Sequence, residues 1–280
     1  MDIDSLIHGI STPVSSKVKL DRKIYNMIGT GFHYHVMGNM VENTQWRQIT
    51  KIWLVTNRHI IFQKINKIER IPDELTFKLR KMEDNKISWD IIKLNKEQIL
   101  KRTRVSSNKS IDIAIIDILD LVNKQSIGGS KKGIRYIAPF GVNNSQLLGN
   151  SKLKVEIGDS ILVIGYPYGY YNITDLYPVV KSGTVSSSLY SNLHGKPAFL
   201  IDARLYSGSS GSLVISTPTN DAIIDGRRAF NPVKQFVFLG IFSGSTYLKD
   251  EKNNDLEFDA GIVWYGRLID NIINEDVSFQ

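Results

Sequence analysis

Three stretches of the chain place groups that can do nucleophilic chemistry. In Leu54-Val55-Thr56-Asn57-Arg58-His59-Ile60 an apolar strand ends and a histidine follows at once. A strand end is rigid on one side and open on the other, which suits an imidazole that passes protons. In Ser110-Ile111-Asp112-Ile113-Ala114-Ile115-Ile116 an aspartate sits within an apolar strand. An unpaired carboxylate there would be costly, so it needs a donor, and an imidazole N–H is a good one. In Leu205-Tyr206-Ser207-Gly208-Ser209-Ser210-Gly211-Ser212-Leu213-Val214 glycines flank a central serine just before another apolar run. Glycine lets the backbone turn sharply and present N–H groups inward, and two of these beside a serine oxygen would form an oxyanion hole. Each stretch has an ordinary reading: a strand-end histidine, an aspartate bonding backbone, a polar turn. Together they offer a base, an orienting carboxylate and a nucleophile, the set that acyl transfer requires.

The elements that must position these groups are short strands. Runs rich in Ile, Val, Tyr, Phe and Thr, broken by Gly, Pro, Asn or Asp, predict strands at 17–20, 24–27, 31–37, 51–56, 75–80, 111–117, 134–137, 160–165, 177–185, 198–202, 212–216, 235–243 and 260–264. Many short strands with turn signals between them point to an all-β barrel or sandwich architecture. Two segments read as helices, Asn95–Leu100 and a terminal one over 265–274, where Leu268, Ile269, Ile272 and Ile273 make one apolar stripe. The stretch Leu121–Lys152, rich in Gly, Asn, Ser and Lys, reads largely as a connection between halves. Residues 1–130 then carry His59 and Asp112, and residues 131–280 carry Ser210.

Composition narrows the classes. The 280 residues are 42% hydrophobic and 22% charged, so the chain is a folding one rather than a disordered tail. The absence of cysteine removes disulfides, cysteine-ligated metals and a thiol nucleophile. A net charge of +7 without a concentrated basic run is an ordinary soluble surface, and nucleic acid is not the expected partner. A run of about 18 apolar residues, as a membrane span requires, does not occur. With an acidic rather than basic start, the expectation is a cytoplasmic protein without a membrane partner, and the Lys/Ile/Asn-rich composition suggests a bacterial source. His33 and His35 share one strand face and could supply two metal ligands, but no third is evident, so neither metal nor other cofactor is expected.

The order histidine, aspartate, serine differs from that of α/β-hydrolases and subtilisin-like enzymes, and the motifs carry a likeness. The chain resembles the chymotrypsin/trypsin-like serine peptidases, closest to the protease domain of the bacterial HtrA type without its PDZ domain. That family's Thr-Asn-x-His-Val is matched by Thr56-Asn57-Arg58-His59-Ile60, and its Asp-Ile-Ala-Leu-Leu by Asp112-Ile113-Ala114-Ile115-Ile116. A Gly-Asp stretch ending in Gly-x-Pro-x-Gly is matched by Gly158-Asp159 and Gly165-Tyr166-Pro167-Tyr168-Gly169, and a following Gly-x-Val-Ser by Gly183-Thr184-Val185-Ser186. The nucleophile motif aligns with Asp202-Ala203 and Gly208-Ser209-Ser210-Gly211-Ser212, and Gly29-Thr30-Gly31 matches the glycines opening the first barrel. Ser209 and Ser212 depart from the usual residues around the nucleophile, as does the missing proline after them.

The resemblance implies two antiparallel six-stranded Greek-key barrels with a C-terminal helix. It implies a serine endopeptidase in which Ser210 attacks, His59 is the base, Asp112 orients it, and the N–H groups of Gly208 and Ser210 hold the oxyanion. It places Arg204, six residues before the serine, at the base of the pocket for the residue preceding the cleaved bond, with Phe242, Ser243, Ser245 and Gly261 as walls. An acidic side chain there is then one expectation, and a pocket closed by Phe242 another. The substrate is expected to be a protein or peptide, with activity held in check by narrow specificity or by a regulatory protein partner. The alternative is a latent or inactive relative that serves as an interaction module.

Overall fold

The structure is a computed structural model and describes residues 7–44, 46–83, 86–130, 135–137, 139–171, 177–224, 227–249 and 255–275. The chain forms β1 Ser11–Leu20, β2 Lys23–Met40, β3 Arg47–Thr56, helix α1 Arg58–Ile61, β4 Gln63–Ile65, β5 Ile68–Arg70, β6 Glu74–Glu83 and β7 Lys86–Asn95. Helix α2 Lys96–Arg102, β8 Thr103–Val105, β9 Ala114–Asp117, helix α3 Leu119–Ser130, β10 Arg135–Tyr136 and β11 Val142–Asn143 follow. The second half holds β12 Ser160–Gly165, β13 Val179–Val185, β14 Ala198–Asp202, β15 Leu213–Ser216, β16 Thr219–Ile224, β17 Arg227–Gln235, β18 Phe238–Lys249, β19 Asp255–Tyr265 and helix α4 Leu268–Asn274.

The two halves close differently. In the second, β12, β13, β14, β19, β18 and β15 form a closed six-stranded barrel. In the first, the strands pair in the order β10-β6-β1-β2-β3-β9-β8, with β7 on β6 and β11 on β2, a nine-stranded sheet with free ends among the described residues. Hydrogen bonding therefore gives one closed barrel and one open sheet where two six-stranded barrels were expected. The edge strands β8 and β10 are only three and two residues long, so each end of the sheet offers few free backbone groups. One pairing, β11 with β2, is parallel.

Strand β3 shows why the first half needs both faces of its sheet. Ile52 and Leu54 pack with Leu75, Phe77, Leu79, Ile92 and Leu94 in a core of its own. Trp53 and Val55, on the opposite face by strand alternation, join Phe32, Ile113 and Ile115 in a core continuous with the barrel's Val163, Phe199, Leu213, Val214 and Ile241. A strand buried on both faces reads as an unbroken apolar run, which is the Ile52–Val55 pattern.

Helix α2 begins with a reciprocal cap: Gln98 N–H donates to Asn95 Oδ1 at 2.9 Å and Asn95 N–H to Gln98 Oε1 at 3.0 Å. Helix α4 buries Leu268, Ile269 and Ile272 and is fastened to the first half. There the Tyr34 hydroxyl donates to Asp270 at 2.6 Å, and an Arg104 guanidinium N–H to the Ile273 carbonyl at 3.0 Å. The stretch expected to be mainly a connection instead begins inside helix α3 and includes β10 and β11. The strand expected at 134–137 starts on a residue outside those described, and its remainder is β10. No helix among the described residues is long and apolar enough to cross a membrane.

Candidate active site

His59 lies in the single turn of α1, directly after β3. Its Nδ1 is 2.7 Å from Asp112 Oδ2, and its backbone N–H donates to Asp112 Oδ1 at 2.9 Å. The aspartate thus grips both ring and main chain of one residue, which fixes the imidazole and requires Nδ1 to carry the proton. Asp112 itself is anchored by Asn57, whose side-chain amide donates to the Asp112 carbonyl at 2.8 Å. Asp112 is not inside a strand as expected, for β9 begins at Ala114. Its backbone carbonyl is committed to Asn57 and its carboxylate to His59, so it sits in the approach to the ladder rather than in it. Asp117, the neighbouring acid, is occupied elsewhere by Lys51 at 2.6 Å.

Ser210 arrives from the barrel on the turn before β15. Two glycines in left-handed conformation bracket it, Gly208 at φ +88° and Gly211 at φ +87°. Neither position has room for a side chain: a Cβ on Gly208 would lie 2.6 Å from Tyr168 N, and one on Gly211 2.0 Å from the Thr30 carbonyl oxygen. The turn is closed by Ser209 N–H to the Tyr206 carbonyl at 3.0 Å and Ser212 N–H to the Ser209 carbonyl at 2.9 Å. Among the described residues the N–H groups of Gly208 and Ser210 donate to no protein acceptor. They are therefore free to receive an oxyanion. The serines that replace the family's usual residues leave the turn intact, with Ser209 and Ser212 both buried.

Ser243 joins the two halves of the site. Its hydroxyl donates to Asp112 Oδ2 at 2.6 Å, and its carbonyl accepts from the Ser210 hydroxyl at 3.0 Å. The Ser210 hydroxyl is thus parked on a carbonyl, and among the described residues no hydrogen bond joins it to His59. Thr30 of β2 is the second link. Its N–H donates to the Ser210 carbonyl at 2.8 Å and its hydroxyl to the Gly208 carbonyl at 3.0 Å. The same hydroxyl accepts from Tyr166 N–H at 2.8 Å, and the Thr30 carbonyl accepts from Thr56 Oγ1 at 2.7 Å. Thr30 stands in the quoted Gly29-Thr30-Gly31 motif, but nothing in that motif announces a clasp on the serine turn.

The residues named for substrate binding scatter. Arg204 is exposed rather than enclosed, its guanidinium carbon 5.9 Å from the centre of the Tyr206 ring. Phe242 is buried in the barrel core against Gly261, where an added Cβ would meet its ring at 2.8 Å. Ser245 is half-buried on β18, and Ser243 has the bridging place just described. Tyr168, Tyr206 and Lys181 beside the turn were not singled out by sequence.

Among the described residues no group of three or more histidine, aspartate and glutamate side chains is placed to hold a metal. His33 and His35 do share a face, but both are buried. Burial, with His35 as a near charge, lowers His33 to about 3, and burial lowers His35 to about 4. His8 stacks on Tyr177 at 4.1 Å, and His194 sits exposed in a turn at φ +49°.

A two-lobed β structure with histidine and aspartate in one lobe and serine in the other is the arrangement of a trypsin-like peptidase. The chain matches the family model of the trypsin-like peptidase domain over residues 29–223 and belongs to that family. No curated protein matches it significantly in sequence. Among solved structures it is similar to an inactive form of Rv3671c from M. tuberculosis H37Rv, at 14% identity and a TM-score of 0.45, covering 97% of this chain and 88% of that one. It is also similar to the protease domain of MamO from Magnetospirillum magneticum, at 11% identity and a TM-score of 0.44, covering 95% and 96%. A thermostable serine protease, AL20, from an extremophilic microorganism is similar at 10% identity and a TM-score of 0.43, with the same coverage.

Proposed function

We propose that the protein is a serine endopeptidase that works through an acyl-enzyme on Ser210. The observation that carries this is the Ser243 bridge, which holds the serine beside the His59–Asp112 pair from opposite lobes. In the reaction the Ser210 hydroxyl leaves the Ser243 carbonyl for His59 Nε2, gives up its proton there, and its oxygen bonds to the scissile carbonyl carbon. The carbonyl electrons move onto oxygen, where the N–H groups of Gly208 and Ser210 receive the charge, a contribution of about 3–4 kcal/mol per donor in comparable sites. His59 returns the proton to the amine as the C–N bond breaks. Water, deprotonated by the same imidazole, then releases the acyl group. Asp112 keeps the imidazole in the tautomer that accepts at Nε2 and stabilises its cation.

The parked serine favours a checked activity, with substrate or a regulatory protein drawing the hydroxyl across to His59. Hydrogen bonds at such sites commonly tighten only in the substrate complex. A fluorophosphonate probe tests the assembly. The wild type is expected to be labelled on Ser210, and Ser210→Ala is not. Labelling of neither, with the protein folded, would favour the latent reading.

A further inference from the structure

Beside the serine turn two cations meet one exposed ring. Lys181 Nζ of β13 lies 4.7 Å from the centre of the Tyr206 ring, and the Arg204 guanidinium carbon 5.9 Å from it. Tyr168 completes the surface, its ring 6.1 Å from that of Tyr206 and inclined by 31°. Tyr206 is 42% exposed and Tyr168 66%, so both rings face solvent. Neither Lys181 nor Arg204 has a carboxylate partner among the described residues, and Asp202, two positions before Arg204, does not pair with it.

This surface is mounted on the turn itself. The Tyr206 carbonyl accepts from Ser209 N–H at 3.0 Å, and Tyr168 N–H donates to the Ser207 carbonyl at 2.6 Å. Tyr168 stands at φ +53°, a left-handed conformation that few non-glycine residues adopt without support. Two exposed tyrosines and two cations without a carboxylate partner among the described residues gather at one place, a surface whose charge and rings suit an anion. Like charges sharing one ring repel, and an anion between them removes that repulsion while both keep their hold on the ring.

We propose that Lys181, Arg204, Tyr206 and Tyr168 form a subsite for an acidic side chain of the substrate. The ligand is a peptide carboxylate because the surface adjoins the N–H groups that receive a peptide carbonyl. Tyr206 is two positions from Gly208, and at about 3.6 Å per extended residue that keeps the acid within about two residues of the cleaved bond. The inference rests on the endopeptidase reading, and it replaces an enclosed basic pocket with an open one shared by two cations.

The test is digestion of a mixed peptide library, with the new termini sequenced by mass spectrometry. Asp and Glu are expected to be enriched at one position within two residues of the cut. For the best acidic peptide, the ratio of kcat/KM to that of its Gln or Asn counterpart is expected to fall about fivefold in Lys181→Ala and in Arg204→Ala. Lys181→Glu combined with Arg204→Glu should reverse the preference, and Lys154→Ala, exposed elsewhere, should leave the ratio as it is. Cleavage with no acidic preference, or a preference untouched by these variants, overturns the subsite alone. If Ser210 takes the fluorophosphonate but no library peptide is cut, protection from labelling is compared for a Glu-rich and a Gln-rich peptide, and equal protection overturns the subsite. With neither labelling nor cleavage, the endopeptidase reading fails first and the subsite with it.

Discussion

The histidine side and the serine side of the site are held by different means. His59, Asp112 and Asn57 secure one another through three hydrogen bonds within the open-sheet half, to which the barrel adds a single one, from the Ser243 hydroxyl to Asp112. The serine turn depends on the other lobe: Thr30 of β2 holds the Ser210 carbonyl, the Gly208 carbonyl and Tyr166 N–H together. Geometry local to one lobe survives movement between lobes, and geometry shared across the seam does not. On the proposed reading the His59–Asp112 pair, with most of its bonds inside one lobe, is the steadier side, and the serine turn, held by Thr30 across the seam, the more adjustable one.

The largest effect is expected on the histidine side. Asp112→Asn presents an amide where His59 Nδ1 must donate, which favours the wrong tautomer. By analogy with such sites, kcat is expected to drop about 10⁴-fold while thermal stability changes little. A loss of less than tenfold would show that the pair does not act as the base unit.

A second prediction separates the lobes by pH. His33 and His35 are buried in the first lobe, whereas the barrel's His194 is exposed. Their folded values, about 3 and about 4, lie below the ordinary histidine value of 6.5. The unfolded chain therefore takes up protons first as pH falls, and stability is lost from about pH 6.5 down to about 4 through His35 and down to about 3 through His33. Between pH 7 and pH 5 each histidine should remove about 2 kcal/mol. Urea unfolding at the two values measures the loss, and His33→Gln should diminish it by about half. An unchanged loss would assign the acid sensitivity to other groups.

The smallest effect is the sharpest on the seam. Thr30→Val removes the hydroxyl that donates to the Gly208 carbonyl and accepts from Tyr166 N–H in a buried place, at about 1–3 kcal/mol for each bond lost. Fluorophosphonate labelling of Ser210 should slow at least about tenfold, while hydrogen-exchange protection of β3 and β9 is kept. Equal loosening of both sides would erase the distinction between them.

The sequence was most readable where local pattern and tertiary demand coincide. The residues after β3 and before β9 were legible as partners because a carboxylate among isoleucines must find a donor, and His59 N–H and Nδ1 meet it. The β12, β14 and β15 runs were legible because their apolar residues are consecutive and mostly buried. Strand β7, Lys-Ile-Ser-Trp-Asp-Ile-Ile-Lys-Leu-Asn, was missed because charges interrupt it and its Ile91 is exposed. Helix α3 was hidden by its Gly-Gly-Ser end, which reads as a linker. Open closure of the first sheet, the bridge by Ser243 and the outward course of Arg204 depend on register and side-chain direction across distant strands. No local spacing encodes these.

Helix α4 gives the chain's direction of synthesis a meaning. Beyond it, Glu275 receives Ser107 N–H at 2.8 Å and the Ser106 hydroxyl at 3.2 Å, pinning the loop that leads to Asp112. Residues 268–275 leave the ribosome after His59, Asp112 and Ser210 have all been made. A nascent chain thus holds His59, Asp112 and Ser210 before it holds the brace on the loop that leads to Asp112. The loop before Asp112 therefore receives its support from a segment made after the rest of the site, so that the order of synthesis and the order of bracing run opposite ways.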